Sequence, residues 1–284
     1  MTKIALLGAG GKMGVRLASN LVGSPWEVHH VEINEIGRKR LKDIVGADCV
    51  DEDKALADAD VVLMATPDAL IGTIAKGFVH KLKPGAAVIM LDAAAPHAGE
   101  LPERSDITYF VTHPCHPPVF NDETDMDAKN DFFGGIKAKQ HIVCALMQGP
   151  EEHYTLCEQI ARTIYKPVMR SHRVTVEQLA ILEPALSETV GATLVSALHE
   201  ATEEAIRRGV PRQAAVDFML GHINIELAIM FGALPGGQFS DGALLAIKKA
   251  KPKLLQDSWL SVFEPDEVKQ SVVDICHPKK PAAA

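Results

Sequence analysis

The first half of the chain alternates short apolar runs with segments of helical periodicity. Lys3–Leu7, Trp26–Ile33, Asp60–Ala65, Ala86–Leu91, Ile107–Val111 and Gln140–Met147 read as strands. Val15–Val22 and Ile36–Ile44 repeat their apolar positions with helical spacing. Strands that are apolar almost throughout are covered on both faces, so the pattern predicts a parallel sheet between layers of helices. After Val174 the period changes. Thr175 and Gln178 are spaced for a capping box, and a helix of ~50 Å is predicted from Val176 to Arg208. Pro184 is its one strong breaker and predicts a kink. Gln213–Phe231 and Asp241–Lys249 predict two further helices, and His277–Ala284 reads as a frayed tail. This divides the chain into an α/β domain, 1–150, and an all-α domain, 151–284, with the seam between Gly149 and Arg173.

Length agrees, since 284 residues suit two domains. With 47% hydrophobic and 23% charged residues, the composition is that of a globular protein. The net charge of −8, with no basic cluster, argues against nucleic acid or an anionic membrane as partner. Five cysteines without a CxxC pair fit reduced thiols and a cytoplasmic setting. No apolar run reaches the ~18–20 residues that span a bilayer.

The first candidate chemistry lies between the first strand and the first helix. Gly8, Gly10, Gly11, Lys12, Met13 and Gly14 form a glycine-rich turn that brings backbone N–H groups close to a pyrophosphate. Glu32, 18 residues beyond Gly14, ends the second strand. A carboxylate there accepts both ribose hydroxyls and repels a 2′-phosphate, which points to NAD. Arg38, Lys39 and Arg40 lie nearby and keep NADP open. The context is that of a Rossmann domain, a doubly wound parallel sheet. Thr66 and Asp68 follow the third strand, where such sheets face the nicotinamide half of the cofactor. Asp68 reads first as a helix N-cap and second as a cofactor-side group.

The second candidate is Val111-Thr-His-Pro-Cys-His-Pro-Pro118, after the fifth strand. Prolines stiffen His113 and His116, which suits metal ligation or proton transfer; the alternative is a rigid loop with incidental histidines. Cys115 has no dedicated base nearby and reads as inert. In the helical half, Glu183 stands in an apolar run and needs a partner. Glu188 lies five residues on, and His222 and Glu226 share a helix face.

The glycine turn, the His-Pro-Cys-His-Pro-Pro stretch and the segments ILEPALSETVGA and GHINIELAIMFG resemble the phosphogluconate-dehydrogenase-like oxidoreductases over nearly the whole chain. The resemblance implies a Rossmann domain followed by a helical domain that builds a homodimer. Glu188 matches the family's catalytic glutamate. Ile181, Pro184 and Ala185 replace the lysine and the His-Asn pair that precede it, so oxidative decarboxylation of phosphogluconate is not implied. No arginine cluster for a sugar phosphate is evident. The resemblance implies an NAD-dependent oxidoisomerase: oxidation at C2 of a small branched sugar acid, then migration of a hydroxymethyl group from C3 to C2. A divalent metal would polarise both oxygens. The ligands expected are His113 and Glu183, with His116, Glu188, His222 and Glu226 in reserve. Zinc is the first choice, and manganese or magnesium stays open. A plain NAD(P)-dependent hydroxy-acid dehydrogenase and a non-catalytic NAD sensor are the alternatives.

Overall fold

The computed structural model describes residues 1–278. The elements run β1 (Lys3–Leu7), α1 (Lys12–Leu21), β2 (Glu27–Val31), α2 (Glu35–Val45), α3 (Glu52–Ala57), β3 (Val61–Met64), α4 (Asp68–Phe78), β4 (Ala87–Met90), α5 (Ala94–Ala98), β5 (Thr108–Pro114), α6 (Met126–Lys129), β6 (Gln140–Gln148), α7 (Glu151–Ile164) and β7 (Val168–Arg173). They continue with α8 (Val176–Ala180), a π-helical stretch (Ile181–Ala192), α9 (Thr193–Arg207), α10 (Arg212–Met230), α11 (Asp241–Leu254) and α12 (Pro265–Cys276).

Seven strands form one sheet in the order β2-β1-β3-β4-β5-β6-β7. The first five are parallel, β6 runs antiparallel to β5, and β7 lies parallel to β6. The sheet is therefore mostly parallel rather than wholly so. β1, β3 and β4 are buried almost without exception, which is why they read as unbroken apolar runs. Phe110 packs edge-on against Tyr154 of α7.

The chain divides into two compact units, residues 1–182 with Lys269 onward, and Glu183–Val268. The pattern put residues 151–173 in the helical half. The structure uses them as α7 and β7, which complete the sheet's far side. β7 (VMRSHR) carries polar residues because it is an edge strand, so no apolar run announces it.

The Thr175–Gln178 capping box forms in both directions. Pro184 does not interrupt the helix. The turns widen into π-helix over Ile181–Ala192, and the Thr189 hydroxyl donates to the Pro184 carbonyl at 2.7 Å. α11 runs to Leu254, past the predicted end. α12 is not among the helices that the pattern predicts, and from Lys269 it belongs to the first unit. Lys269 donates to the His97 carbonyl, and His277 Nε2 meets Glu100 Oε1 at 2.9 Å. The rest of the predicted frayed tail, from Lys279, lies outside the described residues.

Candidate active site

Parallel pairing sets the site. Leu7, Met64, Met90 and Val111 stand in one row across β1, β3, β4 and β5. Two residues beyond each lie Ala9, Thr66, Asp92 and His113. The strand order reverses beside β1, so this carboxyl edge is where a doubly wound sheet binds its ligand.

The glycine turn fits a dinucleotide backbone. Gly8 has φ +74°, and a Cβ there would lie 2.4 Å from the Ala65 carbonyl oxygen. A Cβ on Gly10 would lie 2.3 Å from the Gly37 backbone, and one on Gly14 would lie 2.0 Å from the Gly8 carbonyl oxygen. Gly11, the N-cap of α1, is less constrained, with 3.3 Å to the same oxygen. Lys12 and Met13 form the first turn of α1, with Lys12 exposed. Glu32 follows β2 and is only 9% exposed. Its carboxylate accepts from Gly10 N–H at 3.0 Å and from Asn34 N–H at 2.9 Å. Thr66 Oγ1 is buried without a protein hydrogen-bond partner and sits beside Gly8.

Asp68 corrects one expectation. The N-cap of α4 is Pro67, no side chain caps the helix, and Asp68 is its first helical residue. Its carboxyl is raised to about 6, by desolvation first and by the charge of Asp92 second, against a lowering from His113. Asp68 thus belongs electrostatically to the His113 end of the sheet edge.

His113 lies on β5 itself, not in the loop after it. Its Nδ1 stands 2.7 Å from the Leu91 carbonyl. A carbonyl only accepts, so Nδ1 carries the proton and Nε2 carries the lone pair, the arrangement a metal-ligating histidine needs. Asp92 follows β4, is buried, and accepts from Ala94 N–H at 2.6 Å. One ligand atom each of Asp92, His113 and Glu183 lies within 4.8 Å of the others. Glu183 is the first residue past the division between the units. It is carried on the helix that starts at Val176, whose Leu179 and Ala180 are fully buried.

The pattern had singled out His113 and Glu183 but missed Asp92. Its only signal was an acid closing an apolar strand on the edge that carries the glycine turn. His116, Glu188, His222 and Glu226 are not in this group among the described residues. His116 adopts φ +61°, and its Nδ1 donates to the Phe133 carbonyl at 2.9 Å. His222 stacks on Phe218, and its Nδ1 donates to the Phe218 carbonyl at 2.8 Å. Glu188 and Glu226 are exposed. Burial pushes the Cys115 thiol up, the opposite of what a nucleophile requires.

Comparison with known proteins places this geometry. Residues 121–276 match the family model described as the C-terminal part of decarboxylating phosphogluconate dehydrogenase. A D-apionate oxidoisomerase of Rhizobium rhizogenes is 58% identical, over 96% of this chain and 98% of its own. One from Cupriavidus necator is 56% identical, over 95% and 98%. The crystal structure of a semialdehyde dehydrogenase NAD-binding protein from Cupriavidus necator, in complex with calcium and NAD, superposes with a TM-score of 0.95. It is 55% identical and covers 97% of this chain and 99% of that one.

Proposed function

We propose, from the premise that this chain belongs to the D-apionate oxidoisomerase family and carries a phosphogluconate-dehydrogenase type of C-terminal half, that it is an NAD-dependent oxidoisomerase converting D-apionate to 3-oxo-isoapionate. The observation that carries the reading to the atoms is the row of strand ends. It sets the glycine turn, Thr66, Asp92 and His113 along one edge of one sheet.

Bound NAD supplies the hydride acceptor for C2. A divalent cation, when bound, supplies a Lewis acid for the C2 carbonyl and the C3 oxygen. The chain's own residues do the rest. Gly8, Gly10 and Gly14 admit the dinucleotide backbone, Lys12 and Met13 frame it, and Glu32 holds the adenosine ribose. Asp92, His113 through Nε2 and Glu183 would hold the cation. Two carboxylates and one imidazole suit manganese or magnesium as well as zinc. Asp68, with a carboxyl near neutrality, takes the proton of the C3 hydroxyl. In the rearrangement the bond from C3 to the hydroxymethyl carbon breaks, and its electron pair forms the new bond to C2. The C3 oxygen becomes a ketone, and the C2 oxygen takes up a proton. Every carbon is retained.

The second unit supports a homodimer. Phe218 is 68% exposed and Phe231 is 80% exposed, with Leu220, Ile225 and Met230 exposed on the same helix. A second copy is the partner proposed for these residues. No helix among the described residues is long and apolar enough to cross a membrane.

The test is turnover of D-apionate with NAD, followed by NADH absorbance and carbon NMR of the product. The expected result is one NADH per product and a rearranged skeleton with no carbon lost. An unrearranged 2-keto acid would reduce the enzyme to a plain dehydrogenase. Full activity in metal-stripped protein would remove the cation from the scheme.

A further inference from the structure

We propose that His116 is a specificity-determining residue of the rearrangement. Its Nε2 accepts a hydrogen bond from one of the two hydroxymethyl groups on C3 of D-apionate, keeps that group on C3 and leaves the other to migrate. This rests on the oxidoisomerase reading above. The two hydroxymethyl groups are chemically alike. Once C2 is a carbonyl and the C2 and C3 oxygens lie on the same side, the two groups stand on opposite faces of that carbonyl. Which of them migrates then sets the configuration of the product, so a protein group must hold one of them.

Backbone strain brings His116 to the site. β5 still pairs with β6 at Pro114, and Cys115 N–H still donates to the His141 carbonyl at 2.9 Å. Side chains three apart on a strand point to opposite faces, so a straight continuation would turn His116 away from His113. His116 instead adopts φ +61°, the one positive φ outside glycine among the described residues. The two imidazoles then meet at 90°, with centroids 6.1 Å apart. Such strain persists only where the surroundings hold it, and functional sites collect it. The surroundings here are built. His116 Nδ1 donates to the Phe133 carbonyl at 2.9 Å, and the two rings stand edge to face at 6.0 Å. The Phe133 loop is fixed in turn. The Asp131 carboxylate accepts from the N–H groups of Ile136, Lys137 and Ala138, while Arg16 and Asn20 of α1 donate to the carbonyls of Gly134 and Gly135. A carbonyl only accepts, so Nδ1 of His116 carries the proton and Nε2 carries the lone pair. Nε2 makes no hydrogen bond among the described residues, and the side chain is partly exposed. His116 thus adjoins a histidine of the metal group without belonging to that group, and it offers a fixed acceptor to a neutral hydroxyl.

The experiment uses the full chain with NAD and a divalent cation, as the wild type and as His116→Gly. Glycine accepts a positive φ, so this variant removes the imidazole and relaxes the backbone together. The substrate is D-apionate with carbon-13 in one chosen hydroxymethyl group of the two on C3. Carbon NMR of the product separates label that has moved to C2 from label left beside the C3 ketone. In the wild type the label is expected in one of these positions only. In His116→Gly it is expected in both, within about threefold of each other, since a single hydrogen bond separates two otherwise equal groups. A second readout needs no turnover. D-apionate titrated calorimetrically into the NADH complex is expected to bind about tenfold more weakly to His116→Gly, with the affinity for NADH unchanged. His116→Gly that keeps its label on one side, or that binds D-apionate as the wild type does, would overturn the proposal. So would a wild type that already divides the label. A variant that binds NADH but forms no product would also overturn it, by placing His116 in the oxidation itself. A wild type that makes no rearranged product would instead overturn the oxidoisomerase reading, and this inference with it.

Discussion

The two units solve burial in opposite ways. In the first, central strands bury nearly every side chain, and aromatic residues such as Phe110 and Tyr109 are enclosed. In the second, few of the described residues are buried, namely Pro184, Ala185, Thr202, Ala215 and Val268, and no Leu, Ile, Met or aromatic side chain is among them. α10 leaves Phe218, Leu220 and Met230 to solvent. Burial of apolar area stabilises the first unit from within its own chain. The second carries apolar surface that its own chain does not cover, the property expected of a part that is finished by association. The chemistry divides the same way. The dinucleotide turn, Asp68, Asp92 and His113 all stand on the self-sufficient unit.

The sharpest way to test this contrast is inside the turn. Gly14→Val places carbon 2.0 Å from the Gly8 carbonyl oxygen and is expected to abolish NAD binding, read by calorimetry. Asp92→Asn comes next. It is expected to lower bound divalent metal, read by elemental analysis, and to cut turnover by about a hundredfold or more. The third experiment is a pair of substitutions. Phe110→Ala is expected to cost about 3–5 kcal/mol in denaturant unfolding. Phe218→Ala is expected to weaken the proposed self-association in sedimentation, with a far smaller effect on the unfolding of the first unit. Equal effects on unfolding would erase the distinction between the units. The smallest effect concerns pH. Asp68 has a folded value of about 6 against 3.8 for a free carboxyl, so the folded state holds the extra proton between those values. Stability from this group is present at low pH and is lost as pH rises through 6. In metal-free protein, Asp68→Asn is expected to raise Tm at pH 7 by a few degrees at most and to leave it unchanged near pH 4. A rise at both would assign the effect to something other than ionisation.

Much of the first unit was legible because its signals are local. Apolar runs, the glycine turn and the acid at the end of β2 are contiguous patterns, and each forms as read. The site was legible only in part. His113 and Glu183 were marked by unusual surroundings, prolines for one and an apolar run for the other. Asp92 had no such mark, since an acid after a strand is common, and only the pairing of β4 with β5 brings it beside His113. His222 and Glu188 looked equally suitable by residue type, but grouping is decided by tertiary position. β7 escaped because an edge strand need not be apolar. α12 carried a start signal, Pro265 followed by Asp266 and Glu267, but its packing partners lie far away in sequence at His97 and Glu100.

That last helix has a consequence for how the protein is made. The first unit contains residues on both sides of the second in the chain, so it is discontinuous in synthesis. A ribosome produces the sheet and then the whole helical unit before it produces Lys269–Cys276. Until then, Val272 and Cys276 are missing from the first unit's packing, and the carboxylates near Cys276, which include Asp68 and Asp92, lack that neighbour. The nascent sheet passes through a stage with its dinucleotide turn complete and the packing beside its catalytic edge unfinished. The turn is thus synthesised well before the segment that closes the unit.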